Sequence, residues 1–220
     1  MKLLTPPGVY PPQGDSALLA RALADELARR PPDRRELLEL GTGSGALAVA
    51  AAVLGARVTA VDVSRLALAT AWTNARLHGR RIRVRHGDLT APVRGRSFDL
   101  VISNPPYVPA PGAEVPQHGV ARAWDAGPDG RLLLDRICRQ APAMLAPGGV
   151  LLVVQSSLAD TTATLDALDR AGLDTGIVGR RRQEFGPVMS ARADWFERRG
   201  LIAQGVRDEE LVVIRGARRS

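Results

Sequence analysis

Three carboxylates and one carboxamide stand where predicted strands end. Glu39 precedes the glycine-rich turn after the first strand, Asp62 ends the second, and Asp88 stands in HGDL at the end of the third. Asn104 follows the fourth strand and opens the run Asn-Pro-Pro-Tyr. Open α/β sheets bind ligands at the carboxyl ends of their parallel strands, so these side chains should share one site. Their acceptor oxygens suit a ligand rich in N–H and O–H groups.

The strand FDLVISN runs into two prolines, Pro105 and Pro106, followed by Tyr107. Proline removes a backbone donor and drives the residue before it into extended geometry. Asn104 and Pro105 should therefore be extended, with carbonyl oxygens free to accept hydrogen bonds. An ordinary loop can begin the same way, so the motif alone does not decide its role.

A glycine-rich turn, GTGSGA (41–46), joins the first strand to a helix and would bring backbone amides and the helix N-terminus against a ligand. Its glycine spacing also fits the dinucleotide-binding pattern, with Asp62 placed to bind a ribose. Glu39 would repel a pyrophosphate but could hold a cationic ligand that carries an amino acid. We therefore expect S-adenosylmethionine. Asp62 would bind its ribose hydroxyls, Asp88 its adenine amine and the loop backbone its methionine moiety.

Helices and strands alternate along the chain. Predicted helices cover residues 15–30, 46–54, 64–79, 131–145 and 158–172, and predicted strands cover 36–40, 57–63, 81–88, 98–104, 149–155, 173–181 and 210–216. This alternation predicts right-handed crossovers and a largely parallel sheet with helices on both faces. The segment SARADWFERRGLI is too brief for a crossover, so the last two strands should pair antiparallel at the sheet edge. Asp15 or Ser16 should cap the first helix, which Pro31-Pro32 ends.

The composition indicates one domain, residues 33–220, preceded by an N-terminal segment and helix, residues 1–32. No apolar run reaches the roughly 18 residues that span a membrane, and prolines interrupt the start of the chain before a signal-like segment forms. We expect a cytoplasmic protein without a metal site. The single cysteine, Cys138, can form neither an internal disulfide nor a cysteine metal cluster and should pack in the core.

The formal net charge of +7 is compatible with nucleic-acid binding, because basic clusters release phosphate counterions. Almost all of the basic residues are arginines, and Lys2 is the only lysine. Arginines cluster at 80–85, 180–182 and 215–219. A general bias towards arginine explains this pattern equally well, so direct nucleic-acid binding is the less favoured interpretation.

Several motifs together resemble one family. They are VYPPQGDSALL, ELGTGSG, VDVS, GDL, NPPYV and EVPQHGVARAWDAGPDGRLLLDR, which lie within residues 9–158. NPPY resembles the [DN]-P-P-[YF] motif of class I methyltransferases that act on nitrogen attached to a planar group. The run after it makes the chain similar to the HemK-like protein glutamine methyltransferases. Those enzymes modify the glutamine of the GGQ loop in peptide-chain release factors.

The resemblance implies an α/β, Rossmann-like class I methyltransferase fold: a seven-stranded, mostly parallel sheet with helices on both faces and an antiparallel last strand. It implies S-adenosylmethionine as methyl donor and S-adenosylhomocysteine as product. The substrate amide would donate to the Asn104 side-chain oxygen and the Pro105 carbonyl, with Tyr107 packed on the flat amide. Positioning and electrostatics would favour transfer without a general base, and His118 is assigned to packing. The implied site residues are Asn104, Pro105, Pro106 and Tyr107 for catalysis, and Ser16, Glu39, Gly41, Thr42, Gly43, Gly45, Asp62, Val63, Asp88, Leu89 and Asn104 for the cofactor.

Departures from the family pattern bear on partners. Bacterial release-factor enzymes of this family carry an additional N-terminal helical domain, whereas one predicted helix precedes the first strand here. We expect a member of the short eukaryotic and archaeal branch, which often needs a small zinc-binding activator subunit. Gly14 stands where that branch has an acid. Residues 180–188 and the SARADWFERRG segment match nothing in the pattern.

Three other functions stay open. Adenine also presents an amino group on a flat ring, so NPPY fits methylation of N6-adenine or another base in rRNA or tRNA. Base-flipping enzymes need surface for duplex recognition, and 4% aromatic content leaves little for it. A non-catalytic S-adenosylmethionine-binding partner protein would keep the fold, but Glu39, Asp62, Asp88 and Asn104 are all present together. A dinucleotide oxidoreductase is disfavoured by NPPY and Glu39.

Overall fold

A computed structural model describes residues 2–114, 116 and 119–219. Its helices are α1 (Gly14–Ala28), α2 (Ala46–Val53), α3 (Arg65–Leu77), α4 (Leu132–Gln140), α5 (Thr161–Arg170) and α6 (Pro187–Arg198). Its strands are β1 (Glu36–Leu40), β2 (Arg57–Asp62), β3 (Arg83–His86), β4 (Phe98–Ser103), β5 (Leu145–Ser156), β6 (Leu173–Glu184) and β7 (Asp208–Arg218). The predicted helices and strands are present, with their ends shifted by a few residues.

The strands form one seven-stranded sheet in the order β3-β2-β1-β4-β5-β7-β6. Neighbours from β3 through β5 pair in parallel, whereas β7 pairs antiparallel with both β5 and β6. The predicted Rossmann-like fold, mostly parallel with an antiparallel last strand, is confirmed. The antiparallel pair lies at the sheet edge, with β6 outermost.

Helices cover both faces of the sheet, as the alternation predicts. On one face α1, α2 and α3 pack against a layer that includes Leu37, Leu100 and Ile102. On the other face α4, α5 and α6 pack against Leu38 and Val101. Successive side chains of a strand point to opposite faces, so strands covered on both sides have continuous apolar sequences. The buried central strands fix the edge at which the polar site residues emerge.

Helix α1 begins earlier than the predicted capping residues. Gln13 occupies the N-cap position and forms no side-chain cap, so the prediction that Asp15 or Ser16 caps this helix is wrong. Both side chains have partners across the fold instead: Asp15 accepts from Tyr107, and Ser16 accepts from Asn104. Asp15 lies in the first turn, where the positive end of the helix dipole favours a carboxylate.

Helix α6 occupies the segment between the last two strands, for which the sequence pattern predicts no helix. Met189, Ala193 and Phe196 are buried at positions i, i+4 and i+7, which is the spacing of a helix with one apolar face. Charged residues between them hide that pattern in a segment of only 12 residues. Because α6 leads into a neighbouring antiparallel strand, it does not alter the expected pairing.

The surface arginines of β6 have acidic neighbours. Arg180 forms an ion pair with Glu210, and Arg182 forms one with Asp208. Part of the positive charge of the 180–182 cluster is therefore balanced by carboxylates of the same sheet. Across the described residues, none of the helices combines the length and apolar character needed to cross a membrane. Cys138 is buried in α4, as predicted.

Candidate active site

A cavity of about 750 Å³ opens at the carboxyl ends of the central parallel strands. The N-terminal segment lines it through residues 8–13 and the start of α1, and residues 186–189 line it at the start of α6. Every predicted site residue except Gly45 lines this cavity: Ser16, Glu39, Gly41, Thr42, Gly43, Asp62, Val63, Asp88, Leu89, Asn104, Pro105, Pro106 and Tyr107. Strand topology thus brings together residues that are dispersed along the sequence.

Gly45 packs the glycine-rich loop against α3 and is not among the cavity residues. Its φ is +78°, and a Cβ at this position would lie 2.6 Å from the Cα and Cβ atoms of Ala71. Gly43 also has a positive φ, +52°, but a Cβ there would meet no atom within 4 Å. Gly45 is therefore required for close approach, while Gly43 is required for its backbone conformation.

Glu39 is a buried acid below the loop, 2% exposed. Its Oε2 accepts a hydrogen bond of 2.6 Å from the Thr42 hydroxyl. Burial raises the pKa of Glu39 to about 8, and the negative charge of Asp62 acts in the same direction. A cationic ligand nearby would reverse this shift, because it favours the ionised carboxylate.

Asp62 and Asp88 are held by different partners at the ends of β2 and β3. Asp62 Oδ2 accepts from the Gly43 amide at 3.0 Å, and its Oδ1 accepts from the Ser64 amide at 2.8 Å. Asp62 therefore connects the glycine-rich loop to the start of α3. Asp88 forms an ion pair with Arg136 of α4, and both side chains are partly exposed. A ligand at Asp88 would share that carboxylate with Arg136.

The NPPY motif is bonded to the first turn of α1. Asn104 Nδ2 donates to Ser16 Oγ at 3.2 Å. Tyr107 donates its hydroxyl hydrogen to Asp15 Oδ2 at 3.0 Å and is only 8% exposed. Burial and the nearby Asp15 carboxylate raise the pKa of Tyr107 well above its usual value. These bonds fix the Asn104 carboxamide and the Tyr107 ring at the cavity.

Asn74 of α3 anchors the N-terminal segment to the glycine-rich loop. Its Oδ1 accepts from the Leu4 amide at 2.8 Å, and its Nδ2 donates to the carbonyls of Leu4, 3.0 Å, and Ser44, 2.8 Å. The Asn74 side chain is fully buried. One carboxamide therefore ties the N-terminal segment to the glycine-rich loop, which lines the cavity.

Arg192 of α6 holds the chain that follows NPPY. Its Nη1 lies 2.6 Å from Asp125 Oδ1 and donates to the Pro109 carbonyl at 3.2 Å. The Arg192 and Asp125 side chains are 22% and 15% exposed, so the pair is partly shielded from water. The segment that matches nothing in the family pattern thus supports the loop beside the predicted catalytic residues.

Sequence reasoning did not find several cavity residues. Tyr10 packs against Trp124 with ring centroids 5.4 Å apart, and Gln183 and Glu209 come from the last two strands. No short motif marks Gln183 or Glu209, because long-range strand pairing brings them to the cavity, whereas Tyr10 lies in the VYPPQGDSALL motif. Asp15 lies in the same motif, and its place beside Ser16 was an available signal. His118 lies outside the described residues.

The chain matches the methyltransferase small domain family over residues 1–123, more than half of its length. A candidate protein N5-glutamine methyltransferase of Methanocaldococcus jannaschii is 34% identical over 194 residues, covering 88% of this chain and 95% of that protein. A release factor glutamine methyltransferase of Geobacter sulfurreducens is 35% identical over 173 residues, covering 76% of this chain and 59% of that protein. The chain therefore matches less than two thirds of the bacterial enzyme.

Among solved structures, the E. cuniculi Mtq2-Trm112 complex, responsible for methylation of the translation termination factor eRF1, contains a similar chain. The TM-score is 0.64, with 20% identity over 96% of this chain and 99% of the other. At that identity the likeness shows the fold. The sequence matches confirm the resemblance to glutamine methyltransferases that NPPY and the run after it indicate. Fold and sequence agree, and the chain belongs to the methyltransferase small domain family.

Proposed function

We propose that this chain is an S-adenosylmethionine-dependent methyltransferase that acts on the side-chain amide nitrogen of a protein glutamine. The acceptor in this proposal is the glutamine of a GGQ motif in a peptide-chain release factor. This proposal rests mainly on the hydrogen bond that Asn104 Nδ2 donates to Ser16 Oγ. With Nδ2 engaged by Ser16, the carboxamide oxygen of Asn104 is left as the acceptor for a substrate N–H group.

The cavity residues fit S-adenosylmethionine, whose sulfonium methyl group is the electrophile. Glu39 is a buried carboxyl whose ionised form a cationic ligand would favour. Asp62 lies against the loop and suits the ribose hydroxyls, and Asp88 suits the adenine amine. The remaining proposed cofactor contacts are Ser16, Gly41, Thr42, Gly43, Val63, Leu89 and Asn104, while Gly45 holds the loop in shape.

The acceptor amide is a weak nucleophile because its nitrogen lone pair is delocalised into the carbonyl group. Asn104 and the Pro105 carbonyl would each accept one of its two N–H groups and so orient the nitrogen. Tyr107 would form a fixed aromatic wall, since its hydroxyl is bonded to Asp15. Pro106 limits the backbone freedom of this segment. Catalysis then comes from positioning and electrostatics, and the amide proton is lost to water.

Relatives favour glutamine over a nucleobase as the acceptor. The two sequence relatives described above carry the name of glutamine methyltransferases, and one of them is named a release factor glutamine methyltransferase. A nucleobase would bind the same carboxamide and carbonyl acceptors. The β7 carboxylates that pair with Arg180 and Arg182 reduce the local positive charge available to a phosphate backbone.

We assign a peptide-chain release factor as the protein partner and the cytoplasm, where translation ends, as the location. The Mtq2-Trm112 complex supports a small partner subunit. The zinc-binding character of that subunit follows from the family resemblance alone. Residues 33–220 would perform methyl transfer, and residues 1–32 would complete the cavity wall.

The experiment that tests the function is incubation with methyl-labelled S-adenosylmethionine and candidate acceptors. Label should enter a release factor and should be lost when its GGQ motif is changed to GGR. DNA and tRNA are the matched alternative acceptors. Label in nucleic acid but not in the GGQ protein would contradict the proposed substrate.

Cofactor choice has its own measurement. S-adenosylmethionine should raise the melting temperature of the protein, because a ligand that binds only the folded state stabilises it. NADH at the same concentration should not. Stabilisation by NADH alone would overturn the cofactor assignment.

A further inference from the structure

Gln183 and Glu209 form a hydrogen-bonded pair at the same sheet edge as NPPY. They face each other across β6 and β7, whose antiparallel register pairs these two residues. Gln183 Nε2 donates to Glu209 Oε1 at 3.0 Å. Ser156 at the end of β5 pairs with Leu211 of β7, which fixes this pair at the carboxyl edge of the parallel strands. Gln183 and Glu209 both line the cavity.

Glu209 carries an acceptor that is not satisfied. The residue is 5% exposed, and its Oε2 is buried without a hydrogen-bond partner among the described residues. Burial raises the pKa of Glu209, and the nearby Ser156 and Gln183 side chains act in the opposite direction. The Ser156 hydroxyl is not in hydrogen-bond geometry with Oε2. A buried carboxylate oxygen without a donor is unfavourable, so this position suits a ligand that supplies an N–H group.

The surroundings of Glu209 assign it to the half of the cavity that would receive the methyl acceptor. The cofactor acids Glu39 and Asp62 stand on β1 and β2, whereas β7 lies beyond β4 and β5 on the other side of NPPY. Glu209 is near enough to Tyr107 and Tyr10 to raise the pKa of both hydroxyls. The Asp15 carboxylate nearby is already engaged by Tyr107.

We propose that Glu209 binds the substrate polypeptide: its Oε2 accepts a hydrogen bond from a main-chain N–H group next to the methylated glutamine. Gln183 positions the carboxylate through its bond to Oε1. The inference rests on the proposed function and extends it from the side-chain amide to the main chain around it. Glycines beside the glutamine suit this subsite, because a main chain without side chains can approach a buried acceptor closely.

The first test compares methylation kinetics of the full chain with a release factor as substrate. Glu209→Gln keeps the shape and can still accept the bond from Gln183, but it replaces the free acceptor with an N–H₂ donor. Its KM for the release factor should rise about tenfold or more, the effect of leaving the substrate N–H group buried without an acceptor. Its kcat and its affinity for S-adenosylmethionine should stay within about twofold of wild type.

Glu210→Gln is the matched control. Glu210 is the next residue along β7, is partly exposed and forms an ion pair with Arg180. This substitution removes the same charge from the same strand and should leave KM, kcat and cofactor affinity unchanged. An unchanged KM in Glu209→Gln would overturn the inference. A fall in cofactor affinity instead would overturn it too, because it would assign Glu209 to the cofactor.

A second measurement on the wild-type protein keeps the inference testable if Glu209→Gln fails to fold. Synthetic Gly-Gly-Gln peptides are prepared in which single main-chain amides beside the glutamine are replaced by esters. One ester position should raise KM about tenfold in wild type and should cause no further loss in Glu209→Gln. If ester replacement raises KM at none of the positions, the proposal is contradicted. Failure of the wild-type protein to methylate any GGQ substrate would overturn the proposed function and this inference with it.

Discussion

Tyr107 donates its phenolic hydrogen to Asp15 Oδ2 at 3.0 Å, joining residues that are 92 positions apart. The bond from Asn104 to Ser16 joins the same two segments. The N-terminus of α1 and the NPPY motif therefore form a single structural unit. A substitution in one segment should therefore alter the stability of the other.

Tyr107→Phe removes this bond but keeps the aromatic ring. The protein should lose about 1 to 2 kcal/mol of unfolding free energy, because a partly buried hydrogen bond to a carboxylate is lost. Urea denaturation measures the loss, and kcat should fall by less than tenfold if the ring face is the part that contacts the substrate. In an Asp15→Ala background the same substitution should cost much less. An undiminished loss there would contradict the pairing.

Asn104→Ala should abolish methyl transfer and leave S-adenosylmethionine binding largely intact. The truncation removes an acceptor worth roughly 1 to 3 kcal/mol and also leaves the substrate amide misaligned. Ser16→Ala retains the Asn104 acceptor and removes its support together with one proposed cofactor contact, so it should reduce kcat less at saturating cofactor. Isothermal titration measures cofactor affinity beside the labelled-methyl assay. Equal loss of binding and transfer in Asn104→Ala would indicate a structural role for Asn104.

Glu39 should make both stability and cofactor binding depend on pH. Its folded-state pKa is about 8, above the value of an exposed glutamate, so the folded state holds an additional proton between those two values. The free energy of unfolding contributed by this group therefore falls as pH rises through that window. Cofactor affinity should rise with pH over the same range, because the ionised carboxylate attracts a cation.

Glu39→Gln removes this titration. Without bound cofactor, the variant should be more stable than wild type near pH 9 by about 1 to 3 kcal/mol, and the difference should shrink towards pH 6. Its affinity for S-adenosylmethionine should be weaker and less dependent on pH. Urea denaturation and titration calorimetry at both pH values provide the measurement. Parallel stability curves for the two proteins would show that Glu39 does not titrate in this range.

Gly45→Ala and Gly43→Ala separate packing from backbone conformation in the loop. A Cβ at Gly45 would collide with Ala71, so this variant should lose more than about 2 kcal/mol or fail to accumulate as folded protein. Gly43→Ala meets open space and should cost about 1 kcal/mol through its positive φ. Thermal denaturation of the two variants checks this order. A larger stability loss in Gly43→Ala than in Gly45→Ala would show that close packing against Ala71 is not the main requirement in this loop.

Arg192→Ala should weaken the loop that follows NPPY. Its partly shielded pair with Asp125 and its bond to the Pro109 carbonyl are lost together. We expect a stability loss of about 1 to 2 kcal/mol, between that of an exposed and that of a buried ion pair, and a higher KM for the protein substrate. The control is Arg182→Ala, whose side chain is 78% exposed beside Asp208 and whose removal should change neither quantity. Equal effects of the two substitutions would contradict a role of α6 in the site.

Local patterns predict the half of the cavity that is proposed to bind the cofactor. The alternation of helices and strands gives the parallel sheet, and strand ends locate Glu39, Asp62 and Asp88 at one cavity. These inferences succeed because strand periodicity and crossover handedness are local or topological rules. The glycine-rich loop follows from the same rules.

Long-range pairing decides the half of the cavity that is proposed to receive the methyl acceptor. Asp15 and Ser16 suit an N-cap by residue type, but Tyr107 and Asn104 engage both side chains. Gln183 meets Glu209 only through the register of β6 and β7. Tertiary contacts of this kind override local preference, and no spacing in the sequence reports them.

The bonds of Asn74 connect the main chain at Leu4 to the Ser44 carbonyl of the glycine-rich loop. Leu4 does not line the cavity. Its amide hydrogen can exchange with solvent only when its hydrogen bond to the Asn74 carboxamide breaks. A ligand that stiffens the loop should therefore slow hydrogen exchange at the Leu4 amide. The exchange rate of the Leu4 amide in heavy water would thus report whether the cavity is occupied. No label on the ligand is needed.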